Sequence, residues 1–132
     1  MPADSETDRE LWNERYRTGE YHHQGDPAAI LTTNATWLPE GRALDVATGT
    51  GRHARYLAAR GYEVDAVDIS EEGLAIAKRK ATDRGLDVNW IQADLDALPL
   101  RADTYAVICV VGYYDVALLE RLEAALVSGG VL

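Results

Sequence analysis

The chain has 132 residues, enough for one domain with a real core. Its hydrophobic content of 47% and regular periodicity exclude a disordered chain, and no apolar run approaches the about 18 residues of a membrane span. A formal net charge of −9, with 22 acids against 13 basic residues of which only Lys78 and Lys80 are lysines, argues against a domain that holds nucleic acid through a basic face.

Met1 to Asp8 is polar and expected to fray. Glu10 to Arg17 predicts a short helix with Trp12 and Tyr16 on one side, both expected in the core. Thr18 to Gly25 has loop composition and holds the adjacent pair His22 and His23. Two neighbouring histidines point apart and no third ligand is near, so no metal is expected. Asp26-Pro27 reads as an N-cap and first helical position. Ile30, Leu31, Asn34, Trp37 and Leu38 then keep helical spacing until Pro39, with Trp37 also expected inside. Ala43 to Ala47 is an apolar run broken only by Asp45, which suits a buried parallel strand. A loop with Gly49 and Gly51 follows, where the backbone turns tightly without a Cβ in the way. Ala54, Leu57 and Ala58 form a helical stripe stopped at Gly61.

Tyr62 to Ile69 predicts a second strand with Asp68 at its end. Ser70 caps the next helix, two acids follow it, and Leu74, Ala77, Lys78 and Ala81 share a face until Gly85. Val88 to Gln92 is a third strand. Thr104 to Val111 is continuous and apolar, as a central strand covered on both faces requires. Cys109 lies inside that run, a buried structural thiol, and a lone cysteine forms no internal disulfide. Val116 to Leu126 predicts a helix with Leu118, Leu119, Leu122 and Leu126 inward. Ser128-Gly-Gly130 is expected to end it, leaving Val131 and Leu132 as the start of a fifth strand.

Alternating strands and helices predict an α/β fold, a Rossmann-like doubly wound parallel sheet with helices on both faces. Ligands in such sheets lie at the carboxyl ends of the strands, where Asp45, the glycine loop, Asp68, Asp94 and Gly112-Tyr113 all fall. Gly49-Thr-Gly51-Arg-His-Ala54 fits the dinucleotide pattern, so NAD is one candidate. Asp68, 23 residues after Asp45, suits the ribose of either NAD or S-adenosylmethionine. Asp45 discriminates, because a pyrophosphate repels a carboxylate one turn away and a sulfonium ligand with an ammonium group does not. Asp94 adds an acceptor for an exocyclic amine. Three carboxylates favour the cationic ligand. Each acid also has a plainer role, Asp45 as a cap on the following loop and the others as solvated strand ends.

The motifs Asp45-Val-Ala-Thr-Gly-Thr-Gly51, the acid at 68, Gln92-Ala-Asp-Leu-Asp-Ala-Leu-Pro-Leu100 and Leu126-Val-Ser-Gly-Gly-Val-Leu132 stand in the order of class I S-adenosylmethionine-dependent methyltransferases, which the chain resembles from about Arg42 onward. Trp12-Asn-Glu-Arg-Tyr16, Gly19-Glu-Tyr21 and Gly25-Asp-Pro27 resemble the N-terminus of the tellurite-resistance-type members. The resemblance implies that Asp45, Ala47, Gly49 and Gly51 hold the methionine half of the cofactor, Asp68 the ribose, and Asp94 and Leu95 the adenine. Thr48, Ile69 and Val111 complete the implied cofactor set. It also implies methyl transfer to a small-molecule acceptor, with residues 1–40 as a helical lid over a core at 41–132. Ala106 stands where the family commonly has an acid, and Ser128 replaces a frequent proline.

Aligning nucleophile, methyl carbon and sulfur needs no covalent residue, and a base only where the nucleophile must lose a proton. No catalytic residue is assigned. His22, His23 and Tyr113 have suitable chemistry, and Tyr113 sits where an acceptor would enter. The alternatives are an NAD-linked oxidoreductase and a non-catalytic cofactor-binding fragment. The family continues through further strands beyond strand five, so the resemblance implies C-terminal truncation, an open sheet edge and self-association through it. A cytoplasmic location is expected, and the acidic, lysine-poor composition also suits a high-salt source.

Overall fold

The computed structural model describes residues 5–18, 27–111 and 115–132. Five parallel strands form one sheet in the order β3-β2-β1-β4-β5, with β1 Arg42–Val46, β2 Glu63–Asp68, β3 Asn89–Gln92, β4 Tyr105–Val110 and β5 Leu126–Val131. β1 lies at the centre, pairing Asp45 with Ala66 of β2 on one side and with Cys109 of β4 on the other. Both faces of these strands are covered, which is why their sequences run apolar instead of alternating. On one face Leu44, Val46, Val67 and Ile108 pack beneath Leu118, Leu122 and Ala125 of α5 (Val116–Ala125). On the other, Ala43, Ala66, Val107 and Cys109 meet Ala54 and Leu57 of α3 (Arg52–Ala59) and Leu31 of α2 (Ala29–Asn34).

The helix ends follow local chemistry. α3 stops before Gly61, whose φ of +96° suits a residue without Cβ. α4 (Glu71–Asp83) starts at Ser70, whose hydroxyl accepts the Gly73 N–H, and stops before Gly85. Asp115 caps α5 by accepting the Leu118 N–H at 3.2 Å.

Several expectations fail at the chain's two ends. The first helix, α1, spans Ser5–Thr18, so the polar stretch before Glu10 is partly helical; Glu6 and Asp8 sit in its first turn, where the helix dipole favours acids. α2 begins after Ala28 and ends at Asn34 in a short 3₁₀ turn, so Pro27 precedes the helix; Asp26 lies outside the described residues. Trp37 is 82% exposed and Ile30 69%, against the expectation of a core tryptophan. Helical spacing puts residues on one face without supplying anything to cover that face. Tyr16 is buried as expected, and Trp12 is half-buried beneath the Arg15 guanidinium, 4.9 Å from the ring centre.

β5 starts at Leu126, directly after α5, so Ser128 to Gly130 lies within a strand and does not form a turn. Pairing with β4 overrides the local turn composition. A register shift between Tyr105 and Val107 absorbs the irregularity, and Gly129 takes a φ of +82°. A Cβ on Gly130 would lie 3.0 Å from the Val127 carbonyl oxygen.

Candidate cofactor-binding site

The carboxyl ends of β1, β2 and β3 converge on one loop. Ala47 leaves β1 with a φ of +56°, a left-handed conformation that costs a residue with a Cβ on the order of 1 kcal/mol. Gly49 and Gly51 follow at +58° and +80°, so the backbone winds back on itself before α3 begins. The Thr48 N–H donates to the Val67 carbonyl at 2.9 Å, tying the loop to β2. A Cβ on Gly51 would lie 2.8 Å from the Trp90 ring and 2.9 Å from the Ala77 methyl, so β3 and α4 press against the loop from behind.

Asp45 and Asp68 point to the same face of the sheet, and both are buried. Asp45 accepts the Thr48 hydroxyl at 2.6 Å and the Ala54 N–H, which caps α3. Burial pushes its carboxyl up to about 7, against those hydrogen bonds. The plainer role, a cap on the loop and helix, is thus realised. Asp68 accepts the Gly49 N–H on Oδ2 at 2.8 Å and the Ser70 N–H on Oδ1 at 2.9 Å. Burial raises its carboxyl pKa, opposed by these two amides and by the Ile69 N–H. A carboxylate offers about four lone-pair directions, so Asp68 keeps some acceptor capacity beyond these amides.

The rest of the expected set lies along the same edge. Ile69 is half-buried, and its carbonyl takes the Gln92 amide at 3.2 Å, while the Ala93 N–H reaches the Asp68 carbonyl at 3.0 Å. These bonds hold the ends of β2 and β3 together. Asp94 folds an Asx turn, accepting the Asp96 N–H at 2.9 Å. The Leu95 side chain is in the core beneath α5, and its carbonyl is held by Arg121 at 2.9 Å, so Leu95 meets a ligand through backbone or not at all. Val111 is half-buried past the end of β4. His22, His23, Gly112 and Tyr113 lie outside the described residues.

Sequence reasoning missed the second set of buried polar contacts. Asn13 of α1 accepts the Ser70 hydroxyl at 2.6 Å and the Glu72 N–H at 3.2 Å. On the α5 face, Asp65 accepts the Tyr105 hydroxyl at 2.6 Å, the Arg42 guanidinium and the Asn89 amide. Burial raises the Asp65 carboxyl, and these donors overcome that and leave it below its ordinary value. The signal for Asp65 was present, an acid inside an otherwise apolar strand.

Asp45, His53 and Cys109 bring one ligand atom each within 4.8 Å of one another. Because Nε2 of His53 accepts the Ala28 N–H at 3.0 Å, the imidazole is neutral with its proton on Nδ1, and neither nitrogen offers a free lone pair to an ion. The group is a hydrogen-bonded core cluster. Burial and the adjacent Asp45 push the Cys109 thiol up, so it is not a nucleophile.

The loop fits an adenosine-type cofactor on its own geometry, with a strained left-handed turn, two buried acids behind it, and a buried Thr50 hydroxyl that has no hydrogen-bond partner among the described residues. A family profile described as "Methyltransferase domain" matches residues 43–130, which cover β1 to β5. The chain belongs to the class I S-adenosylmethionine-dependent methyltransferase family. That membership sets aside the NAD-linked oxidoreductase.

Among this family's relatives, demethylmenaquinone methyltransferase of Thermus thermophilus is 42% identical over 98 residues, covering 69% of this chain and 44% of that protein. A structure solved for the conversion of a disulfide bond into a thioacetal group during echinomycin biosynthesis superposes with a TM-score of 0.77 at 25% identity, covering 90% of this chain and 56% of that one. The tRNA (uracil-54, C5)-methyltransferase of Pyrococcus abyssi, in complex with S-adenosyl-L-homocysteine, shares the fold at a TM-score of 0.59 and 20% identity, covering 70% of this chain and 24% of that one. This methyltransferase domain thus spans less than half the length of its curated Thermus relative. Among the described residues, no helix is long and apolar enough to cross a membrane.

Proposed function

We propose that this domain binds S-adenosylmethionine along the carboxyl edge of β1, β2 and β3 and serves methyl transfer to a small-molecule acceptor. The observation that carries the reading is Asp68, fixed by the Gly49 and Ser70 amides at the end of β2 beside the left-handed loop. In this reading the free lone pairs of Asp68 accept the ribose hydroxyls, and Ala47 to Gly51 bring backbone close to the methionine half. Asp45 acts from behind the loop as its electrostatic and capping support. Asp94 and Leu95 border the adenine, the latter through its backbone, and Thr48, Ile69 and Val111 line the edge. Bound there, the cofactor supplies a methyl group on a sulfonium, already a good leaving group. The chain's part is to hold that group in line with the acceptor and to exclude water.

A small acceptor is supported by the net charge of −9, which repels a nucleic-acid backbone. The resemblance of the 12–27 motifs to the tellurite-resistance-type members supports reading residues 1–40 as a lid over the core at 41–132. Self-association is supported by the outer strand, where Val131 is 40% exposed beside Leu132 at 45%.

Calorimetry tests the cofactor reading. S-adenosylhomocysteine should bind and NAD should not, and Asp68→Ala should weaken binding by roughly 1.5–3 kcal/mol, the range for hydrogen bonds to a charged group. Tight NAD binding, or unchanged affinity in the variant, would sink the reading. Binding without turnover on any small acceptor would instead favour the non-catalytic fragment.

A further inference from the structure

A buried chain of hydrogen bonds runs from the N-terminal helix to the glycine loop. Asn13 is 6% exposed, and its Oδ1 accepts the Ser70 hydroxyl at 2.6 Å and the Glu72 N–H at 3.2 Å. Ser70 is fully buried, and its Oγ accepts the Gly73 N–H at 3.1 Å while its own N–H donates to Asp68 Oδ1 at 2.9 Å. Asp68 Oδ2 then takes the Gly49 N–H at 2.8 Å. Four groups drawn from α1, the β2–α4 corner and the β1–α3 loop are thus linked without a gap.

Two further contacts seat α1 on this corner. Arg9 grips Glu71 in a two-pronged pair at 2.9 and 2.6 Å, and its hydrogen bond holds the Glu71 carboxyl down to about 2. The Tyr16 ring covers Gly73 so closely that a Cβ there would lie 2.8 Å from it. Arg9, Asn13 and Tyr16 fall at i, i+4 and i+7, one face of one helix. The face is therefore built to fit the start of α4.

We infer that Asn13 is a positioning residue for the cofactor site, acting through Ser70 to fix the carboxylate of Asp68 without touching the cofactor itself. The chemistry lies in the proton of the Ser70 hydroxyl. Ser70 Oγ is already an acceptor for Gly73, so its O–H needs an acceptor of its own. Asn13 supplies one on the side away from the loop. Without it a buried hydroxyl is left unsatisfied one residue past Ile69, and the corner that orients Asp68 must rearrange to serve it. The consequence for affinity rests on the cofactor reading above; the consequence for the loop does not.

The experiment therefore has two readouts. In the cofactor-free chain, Asn13→Ala should speed amide hydrogen exchange at Gly49 and Ser70 and leave Leu122, in the core under the opposite face, unchanged. Calorimetry with S-adenosylhomocysteine, well below the melting temperature, should show binding weakened by about tenfold, the equivalent of one hydrogen bond. On a Ser70→Ala background, which has no hydroxyl left to satisfy, Asn13→Ala should change both readings much less. On an Asp68→Asn background Asn13→Ala should add no further loss, because both act through one group. Unchanged exchange at Gly49, or losses that add in full, would overturn the assignment. If the wild-type chain does not bind S-adenosylhomocysteine, the cofactor reading fails, and exchange at Gly49 still decides the role of Asn13. Should Asn13→Ala not fold, Asn13→Ser, which keeps a shorter polar side chain, carries the same comparisons.

Discussion

At the residue scale, Asp45 makes the stability of the domain depend on pH. Its side chain is 1% exposed and accepts from Thr48 and Ala54, yet burial still lifts its carboxyl from 3.8 to about 7. The folded chain therefore binds this proton more tightly than the unfolded one. Stability from Asp45 is fully present below about pH 4 and drains away as pH rises toward 7, at about 1.4 kcal/mol for each pH unit crossed. Asp68, also raised by burial, drains in the same direction. Asp65 works oppositely, because its carboxyl lies below its ordinary value, and its stabilisation is lost only as pH falls into the acid range. Asp45→Asn should hence flatten the fall in denaturation midpoint between pH 5 and 8 and leave the variant more stable than wild type at pH 8, by about 1–3 kcal/mol. Urea titrations at the two pH values read this directly. An equal fall in both proteins would show that Asp45 is not the titrating group.

At the element scale, the parts legible in the sequence are those whose signals are local. Strand β4 announces itself as an unbroken apolar run, β1 and β2 as apolar runs interrupted only by acids, and α3 and α4 by a stripe ended at Gly61 or Gly85. The carboxylates at the strand ends are legible for the same reason, since Asp45 and Asp68 stand at fixed places relative to those runs. What escapes is anything decided across distance. Asn13 meets Ser70 over 57 residues, and nothing in the helical spacing of α1 encodes that partner. Trp37 looks like a core residue by its period, but whether a face is covered depends on a neighbour that the period does not name. Ser128-Gly-Gly130 reads locally as a turn, and only the backbone of β4 makes it a strand. Composition and spacing narrowed the cofactor to a cationic adenosine ligand, while the partners already occupying Asp45 and Asp68 became visible only in three dimensions.

At the scale of the whole molecule, acids outnumber bases by 22 to 13. The ion pairs that Arg9, Arg17 and Arg42 make with Glu6, Glu63, Asp65, Glu71 and Glu72 absorb few of them, so most of the acidic excess faces solvent as self-repulsion. Salt screens such charges within about 10 Å at 0.1 M and closer at molar levels. The melting temperature should accordingly climb as sodium chloride rises from low to molar concentration, and a flat or falling curve would detach the composition from any high-salt habitat. The contact between Trp90 and Gly51 has a different consequence. The indole stands immediately behind the loop proposed to cradle the cofactor, half-shielded from water, whereas Trp37 is in open solvent. The protein thus contains its own optical gauge of that loop. In a Trp12→Phe, Trp37→Phe background the remaining indole emission should shift or quench as S-adenosylhomocysteine is titrated in. Light emitted from the back of the loop would then report what is seated at its front.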